Sequence, residues 1–322
     1  MKQSVFAGLH RLLILFAMAL HPLATSAEVV KEKIRLGTAT QGGGFQVYGF
    51  TLAEVVNAGK GKVQLEAIAT RGSRDNLRLL EAGEIDIGLV EGNAARQALE
   101  GLGRSKANLK VISVMYPNPG MFVVRADSPY FTIKDLKGKP VVLGTRSSGL
   151  RILANDVLDG LGLNAQSDFQ GIILDKAADG PRLVLEKKAE ALWGAGTGWP
   201  GFVKVANSEA GARFIAPTAQ EIKKIHAKHP HLKPMTVPAG TYKGQTSPID
   251  SVGMWSMILV RPDLSEELVY ELVKAIHAGE EELASRLPQA SYTRFMNTVQ
   301  QVDEKLMHAG FLRYYGELEN YQ

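Results

Sequence analysis

Residues 34–57 read IRLGTATQGGGFQVYGFTLAEVVN, and residues 63–93 read VQLEAIATRGSRDNLRLLEAGEIDIGLVEGN. Ile34-Arg35-Leu36 is a short strand ending at Gly37. Gly42-Gly43-Gly44 then leads into a helical stripe at Phe45, Gly49, Leu52 and Val56. Gly59 and Gly61 close that helix, and Val63 to Ile68 alternates as a strand. Ser73 is placed to cap a second helix that carries Leu77 and Leu80 and stops at Gly83. Ile85, Ile87 and Leu89 share one face of a third strand. This β-α-β-α-β order predicts a parallel sheet with helices on both faces, whose loops open a crevice at the strand C-termini. Both loops aim unpaired N–H groups and short polar side chains at that crevice. Such a geometry captures a small anion without any bond being broken.

The chain begins as an exported one does. Lys2 and Arg11 precede and flank the short apolar core Leu12 to Leu20, Pro22 breaks it, and Thr25-Ser26-Ala27 forms a small-residue cleavage site. The apolar run is about half of the roughly 20 residues a membrane span needs. Residues 1–27 are therefore expected to be a signal peptide and the protein to work in the periplasm. Cysteine is absent from the 322 residues, which removes disulfides, thiolate chemistry, cysteine–zinc sites and a lipid-bearing cysteine. The formal charge is +4, close to +2 once Lys2 and Arg11 are gone, and no basic block alternates with aromatics. Nucleic acid is not an expected partner.

The middle of the chain repeats the plan. Met121 to Val124 and Pro140 to Gly144 read as strands, and Arg146-Ser147-Ser148-Gly149 opens a helix with a stripe at Leu150, Leu153, Val157, Leu158 and Leu161. Further on come a strand at Gln170 to Leu174, a helix from Pro181 to Lys188, and a strand Ala191 to Gly194 that ends in the aromatic loop reaching Trp199-Pro200. Ser251 to Val260 reads as one long strand, followed by helices from about Ser265 to Leu287 and again toward Tyr315. If that strand returns to the first sheet, two segments cross between lobes, near Val114–Val123 and Gly244–Gly253. The expected domains are 28–118 with 250–322 as lobe one, and 119–249 as lobe two, hinged on two strands so as to close on a ligand.

Carried on these residues is a resemblance to the TAXI family, the substrate-binding receptors of one class of TRAP (tripartite ATP-independent periplasmic) transporters. Its first loop is matched by Gly37-Thr38-Ala39 through Gly43-Gly44-Phe45-Gln46. The second loop is matched by Ala69-Thr70-Arg71-Gly72-Ser73-Arg74-Asp75-Asn76-Leu77, and the third by Leu89-Val90-Glu91-Gly92-Asn93. The likeness continues through Ser147-Ser148-Gly149, Trp193 to Gly196, Val237 to Gln245 and Gly310 to Tyr315. It implies an α/β, two-lobed type II periplasmic-binding-protein fold, each lobe a mainly parallel sheet flanked by helices. It also implies a small carboxylate ligand, such as an amino acid or dicarboxylate, delivered to a TRAP-type membrane permease. Three departures bear on the ligand. Arg71 stands for a usual glycine, Glu91 for a glutamine with Gly92-Asn93 in place of Ser-Asp, and Phe45-Gln46 for an aromatic pair. A Glu91 in the cleft repels a carboxylate unless Arg71 or Arg74 neutralises it or the solute carries an ammonium there.

The expected ligand contacts are Gln41, Gly43, Gly44 and Phe45 from the first loop, Arg71 and Ser73 from the second, and Glu91 and Asn93 from the third. Lobe two adds Arg146, Ser147, Ser148 and Gly149, with Trp193 and Trp199 as the apolar wall. Tight turns account for the glycines and helix capping for the serines even without a ligand. Gly37 and Gly42 do not fit G-x-G-x-x-G, and no Gly-Lys-Ser/Thr follows, so neither a dinucleotide site nor a P-loop is expected. His226, His229 and His231 bracket Pro230 at the end of a lysine-rich helix with no nearby carboxylate or cysteine expected, so they read as an exposed helix end and not as zinc ligands. No cofactor and no catalysis are expected, since Glu91 alone could act as an acid or base at the cleft. A monomer is expected, and a receptor that signals rather than transports would present the same cleft.

Overall fold

A computed structural model describes residues 31–320; the expected signal peptide lies outside the described residues. Lobe one opens with β1 (Glu32–Gly37), α1 (Gly44–Ala58), β2 (Val63–Ile68), α2 (Ser73–Glu81), β3 (Ile87–Val90), α3 (Gly92–Glu100) and β4 (Lys110–Pro117). The chain then crosses into lobe two. That lobe comprises β5 (Gly120–Arg125), β6 (Pro140–Thr145), α4 (Leu150–Gly160), β7 (Gln170–Leu174), α5 (Asp179–Leu185), β8 (Ala191–Ala195) and α6 (Pro200–Ala206). It continues with β9 (Ala212–Ile215), α7 (Ala219–Lys228), β10 (Lys233–Val237) and β11 (Ile249–Gly253). The return strand β12 (Trp255–Val260) brings the chain back to lobe one, followed by α8 (Glu266–Ala278), α9 (Glu280–Arg286), α10 (Phe295–Gln301) and α11 (Ala309–Glu319).

Each lobe is built on a five-stranded sheet, ordered β2-β1-β3-β12-β4 in lobe one and β7-β6-β8-β5-β9 in lobe two. In lobe one, β1 pairs in parallel with β2 and β3, whereas β12 runs antiparallel between β3 and β4. Lobe two copies the pattern: β6 is parallel to β7 and β8, and β5 is antiparallel to β8 and β9. The sheets are thus mixed, parallel where crossover helices intervene and antiparallel where a strand arrives from the other lobe.

Periodicity explains the packing. Ile34, Leu36, Leu65, Ile87 and Leu89 are wholly or almost wholly buried beneath Tyr48, Leu52 and Val56 of α1. In lobe two, Leu153, Val157 and Leu158 of α4 pack on Phe122, Val141 and Trp193. Each such large apolar side chain contributes roughly 1.5–3 kcal/mol of transfer free energy. Lobe two has a second buried cluster, with Met121, Val123, Leu192 and Phe202.

The strand read as continuous from Ser251 to Val260 is broken at Met254. β11 pairs antiparallel with β10 in a two-stranded ribbon packed on lobe two, and only β12 joins lobe one. The two crossing segments, 117–120 and 253–255, run side by side. Asn118 N–H donates to the Met254 carbonyl at 3.0 Å, and Asn118 Nδ2 donates to Ser256 Oγ at 2.6 Å. They approach so closely that a Cβ on Gly253 would stand 1.9 Å from the Asn118 carbonyl oxygen. The helix expected from Ser265 to Leu287 is likewise two helices, α8 and α9, divided at Gly279. Among the described residues no helix is long and apolar enough to cross a membrane.

Candidate functional site

Three strand-to-helix loops meet where the lobes face each other. Gly42-Gly43 precedes α1, Gly72 precedes α2, and Ser147-Ser148-Gly149 precedes α4. Gly42 has φ +78°, and a Cβ there would sit 2.8 Å from the Ala178 Cα, so the loop passes under lobe two only as glycine. The lobes are latched by polar contacts across the seam. Arg74 N–H donates to the Ser147 carbonyl at 3.1 Å and Ala178 N–H to the Gln41 carbonyl at 3.0 Å. Ala177 N–H donates to Thr40 Oγ1 at 3.2 Å.

Behind this latch lies a cavity of about 70 Å³. On the same measure one water needs about 10–15 Å³, so the space suits a compact solute of a few heavy atoms. From lobe one, Gly43, Gly44, Phe45, Ser73 and Glu91 line it; from lobe two, Ser148, Gly149, Trp193 and Trp199 do. Tyr116, at the end of β4, and Asn118, in the crossing segment, also line it and were not anticipated. The one sequence signal was Tyr116-Pro117-Asn118-Pro119, a strand closed by prolines inside the expected crossing.

Other expected contacts fall elsewhere. Gln41 is exposed and meets lobe two through its carbonyl. Asn93 is buried behind Glu91, donating from Nδ2 to Glu91 Oε1 at 3.0 Å, while its own Oδ1 lacks a partner. Arg71, Arg146 and Ser147 line a neighbouring recess of about 240 Å³ together with Thr40, Thr145 and Asp175. Loop direction explains the difference: Arg71 and Arg146 are exposed, one on either side of the seam, while Ser73 and Gly149 are turned in and buried.

Glu91 is the chemical centre of the cavity. Only 1% of it is exposed, and it caps α3 by accepting from Asn93 N–H at 3.0 Å and Ala94 N–H at 3.4 Å. Its own N–H donates to Ser73 Oγ at 3.1 Å. Among the described residues it makes no ion pair, so neither Arg71 nor Arg74 neutralises it. Burial pushes its carboxyl up to about 8, against the pull of those N–H donors and with a further push from Asp156. Burial, and then Tyr48, also raise the Tyr116 hydroxyl.

The aromatic walls are held firmly. Trp193 Nε1 donates to the Leu150 carbonyl at 2.9 Å. Tyr242 Oη donates to the Gly196 carbonyl at 2.7 Å and accepts from Trp199 N–H at 3.3 Å, which fixes the 196–199 loop. A Cβ on Gly44 would lie 3.4 Å from Tyr116 Oη and 3.5 Å from Trp199 Nε1, so two polar tips border the space above α1.

Away from the cleft, the histidine reading changes. Asp156 and Asp159 of α4 reach the end of α7: His229 Nε2 lies 2.7 Å from Asp159 Oδ2, and His231 Nε2 lies 3.2 Å from Asp156 Oδ2. The donor atoms of Asp156, His229 and His231 fall within 4.8 Å of one another. Carboxylates are therefore near after all, brought by a helix about seventy residues earlier. His229 and His231 are part-buried and not an exposed end, and these contacts staple α7 to α4.

A model of the NMT1-like family matches residues 36–318. Among solved structures, the chain is similar to the alkanesulfonate-binding protein SsuA from Xanthomonas axonopodis pv. citri bound to MOPS. The identity is 17% over 88% of this chain and 83% of that one, with a TM-score of 0.51. The periplasmic aliphatic sulphonate binding protein SsuA from Escherichia coli matches at 18% identity over 89% and 83%, with a TM-score of 0.50. A protein from Bordetella bronchiseptica RB50 matches at 14% over 90% of both chains, with a TM-score of 0.56. At these identities the likeness is one of fold, the two-lobed periplasmic-binding-protein fold.

Proposed function

The chain belongs to the NMT1-like family, and from that premise we propose that it is a periplasmic solute-binding receptor. In this reading the lobes close over a small carboxylate-bearing solute and present it, chemically unchanged, to a TRAP-type membrane permease. The observation that carries the reading is the latched cavity at the seam, reached by three helix N-termini and lined by Ser73, Ser148 and aromatic walls. Arg71 and Arg146 flank the adjacent recess and favour the approach of an anion. The ordered motifs shared with the TAXI family support the choice of permease class, and the sulfonate-binding neighbours of the same fold make small sulfonates a natural comparison. Export by residues 1–27 would place the protein where such a receptor works.

Isothermal titration against short carboxylates, amino acids, sulfonates and neutral sugars tests the ligand class. One-to-one binding of a carboxylate-bearing member is expected, and binding confined to sugars would overturn it. Uptake by cells expressing the receptor with its permease is expected to persist when ATP is depleted while ion gradients are held. Uptake that stops with ATP would assign the receptor to a different transporter class.

A further inference from the structure

We propose that the solute of this cavity carries an ammonium group, and that Glu91, among aromatic walls, is its counter-ion. The inference deepens the receptor reading and rests on it. Glu91 lines the cavity, is 1% exposed and has no cationic partner among the described residues. Its three hydrogen bonds all come from neutral groups: the N–H of Asn93 and of Ala94, and the Asn93 amide. A neutral hydroxyl or amide would cap α3 as well, so capping does not require the charge. Elsewhere the protein does pair a part-buried acid: Asp86 meets Arg35 at 2.7 Å and Arg261 at 3.6 Å. A buried carboxylate left without a cation is costly.

The rest of the wall suits a cation. Phe45, Tyr116, Trp193 and Trp199 surround the same space, and aromatic faces attract an ammonium that has left water. The arginines, Arg71 and Arg146, lie toward the neighbouring recess. The cleft therefore has an acid inside and cations at its margin, which orients an aminocarboxylate with its amine toward Glu91.

Binding of an ammonium would also move a proton. In the empty cavity burial holds Glu91 up to about 8, so near pH 7 it is mostly neutral, and the arriving cation releases its proton to solvent. Few groups around it compete. Ser73 and the backbone at Gly149 touch it and do not titrate, Asp156 of α4 adds a like charge, and Tyr116 stays protonated. Met254 and Trp255, packed on Gly92, carry no charge.

The test is calorimetric titration of the full protein at pH 7 with paired probes: glycine and acetate, β-alanine and propanoate, 4-aminobutanoate and butanoate. Buffers of different ionisation enthalpy report proton release. The amine member of the best-bound pair is expected to win by roughly thirtyfold or more and to release a fraction of a proton approaching one. In Glu91→Gln the ratio within the pair is expected to fall toward one, with circular dichroism confirming the fold. An acid that binds as tightly as its amine partner, or amine binding without proton release in the wild type, overturns the proposal and leaves the receptor reading standing. Failure of every carboxylate, with or without an amine, to bind removes both.

Discussion

Gly149 of lobe two rests directly on Glu91 of lobe one: a Cβ at position 149 would lie 2.5 Å from the Glu91 Cβ and 2.8 Å from Ser73 Oγ. The backbone of Gly149, at φ −64° and ψ −28°, is one that alanine adopts readily. Gly149→Ala is therefore expected to leave the separated lobes as stable or slightly more so, by up to about 1 kcal/mol. The same change disfavours closure by about 1–3 kcal/mol, the usual cost of overpacking. The expected outcome is an unchanged or raised Tm without ligand and a loss of affinity of roughly fivefold to a hundredfold. Equal affinity would mean that the seam does not close as described.

The latch itself is testable at Thr40, whose Oγ1 accepts from Ala177 N–H across the seam at 3.2 Å. Thr40→Val keeps the shape and removes the acceptor, at a cost of about 1 kcal/mol to the closed state. Calorimetry is expected to show about fivefold weaker binding with unchanged urea unfolding. A loss of unfolding stability instead would place this bond within the fold of a single lobe.

At the crossing, Asn118 Nδ2 donates to Ser256 Oγ at 2.6 Å and to the Met254 carbonyl at 3.2 Å. Asn118→Ala strands these buried partners and is expected to cost about 1–3 kcal/mol in urea unfolding. A change within about 0.5 kcal/mol, typical of surface positions, would show that water replaces the amide there.

Glu91 makes the ligand-free protein less stable as pH rises. Its folded value, about 8, exceeds the ordinary 4.5 of a glutamate, so the folded state binds the extra proton. Stability is full below pH 4.5, declines between there and about 8, and levels off above. At pH 7 the accumulated cost is on the order of 3 kcal/mol. The Tm advantage of Glu91→Gln over the wild type is accordingly expected to widen from pH 5 to pH 8. A constant difference would show that Glu91 is already ionised when the cavity is empty.

Much of this architecture is written locally. Ile34, Leu36, Ile87 and Leu89 alternate, Leu52 and Val56 keep helical spacing, and glycines stop β1, α1 and α2. The order of strands and helices over residues 34–90 follows from short-range pattern. Gly43, Ser73, Ser148 and Gly149 converge because each begins a helix at the same edge of its sheet. What pattern could not give depends on long-range approach. Met254 breaks an apolar run because Gly253 must pass the Asn118 carbonyl, and no residue in that run announces its neighbour. Tyr116 becomes a cavity wall only because β4 ends at the crossing. Asp156 and Asp159 meet His231 and His229 through helix packing. Arg71 and Arg146 line a side recess and are exposed, while their neighbours Gly72 and Thr145 are buried.

Native mass spectrometry of the wild type beside Gly149→Val, each incubated with one equimolar mixture of short acids, amino acids and sulfonates, puts closure over a compact solute to a single comparison. One small molecule is expected to remain on the wild type at one-to-one stoichiometry, and none on the variant. Equal retention by both proteins, or none by the wild type, would mean that the space between Glu91 and Ser148 is not where this protein holds its solute.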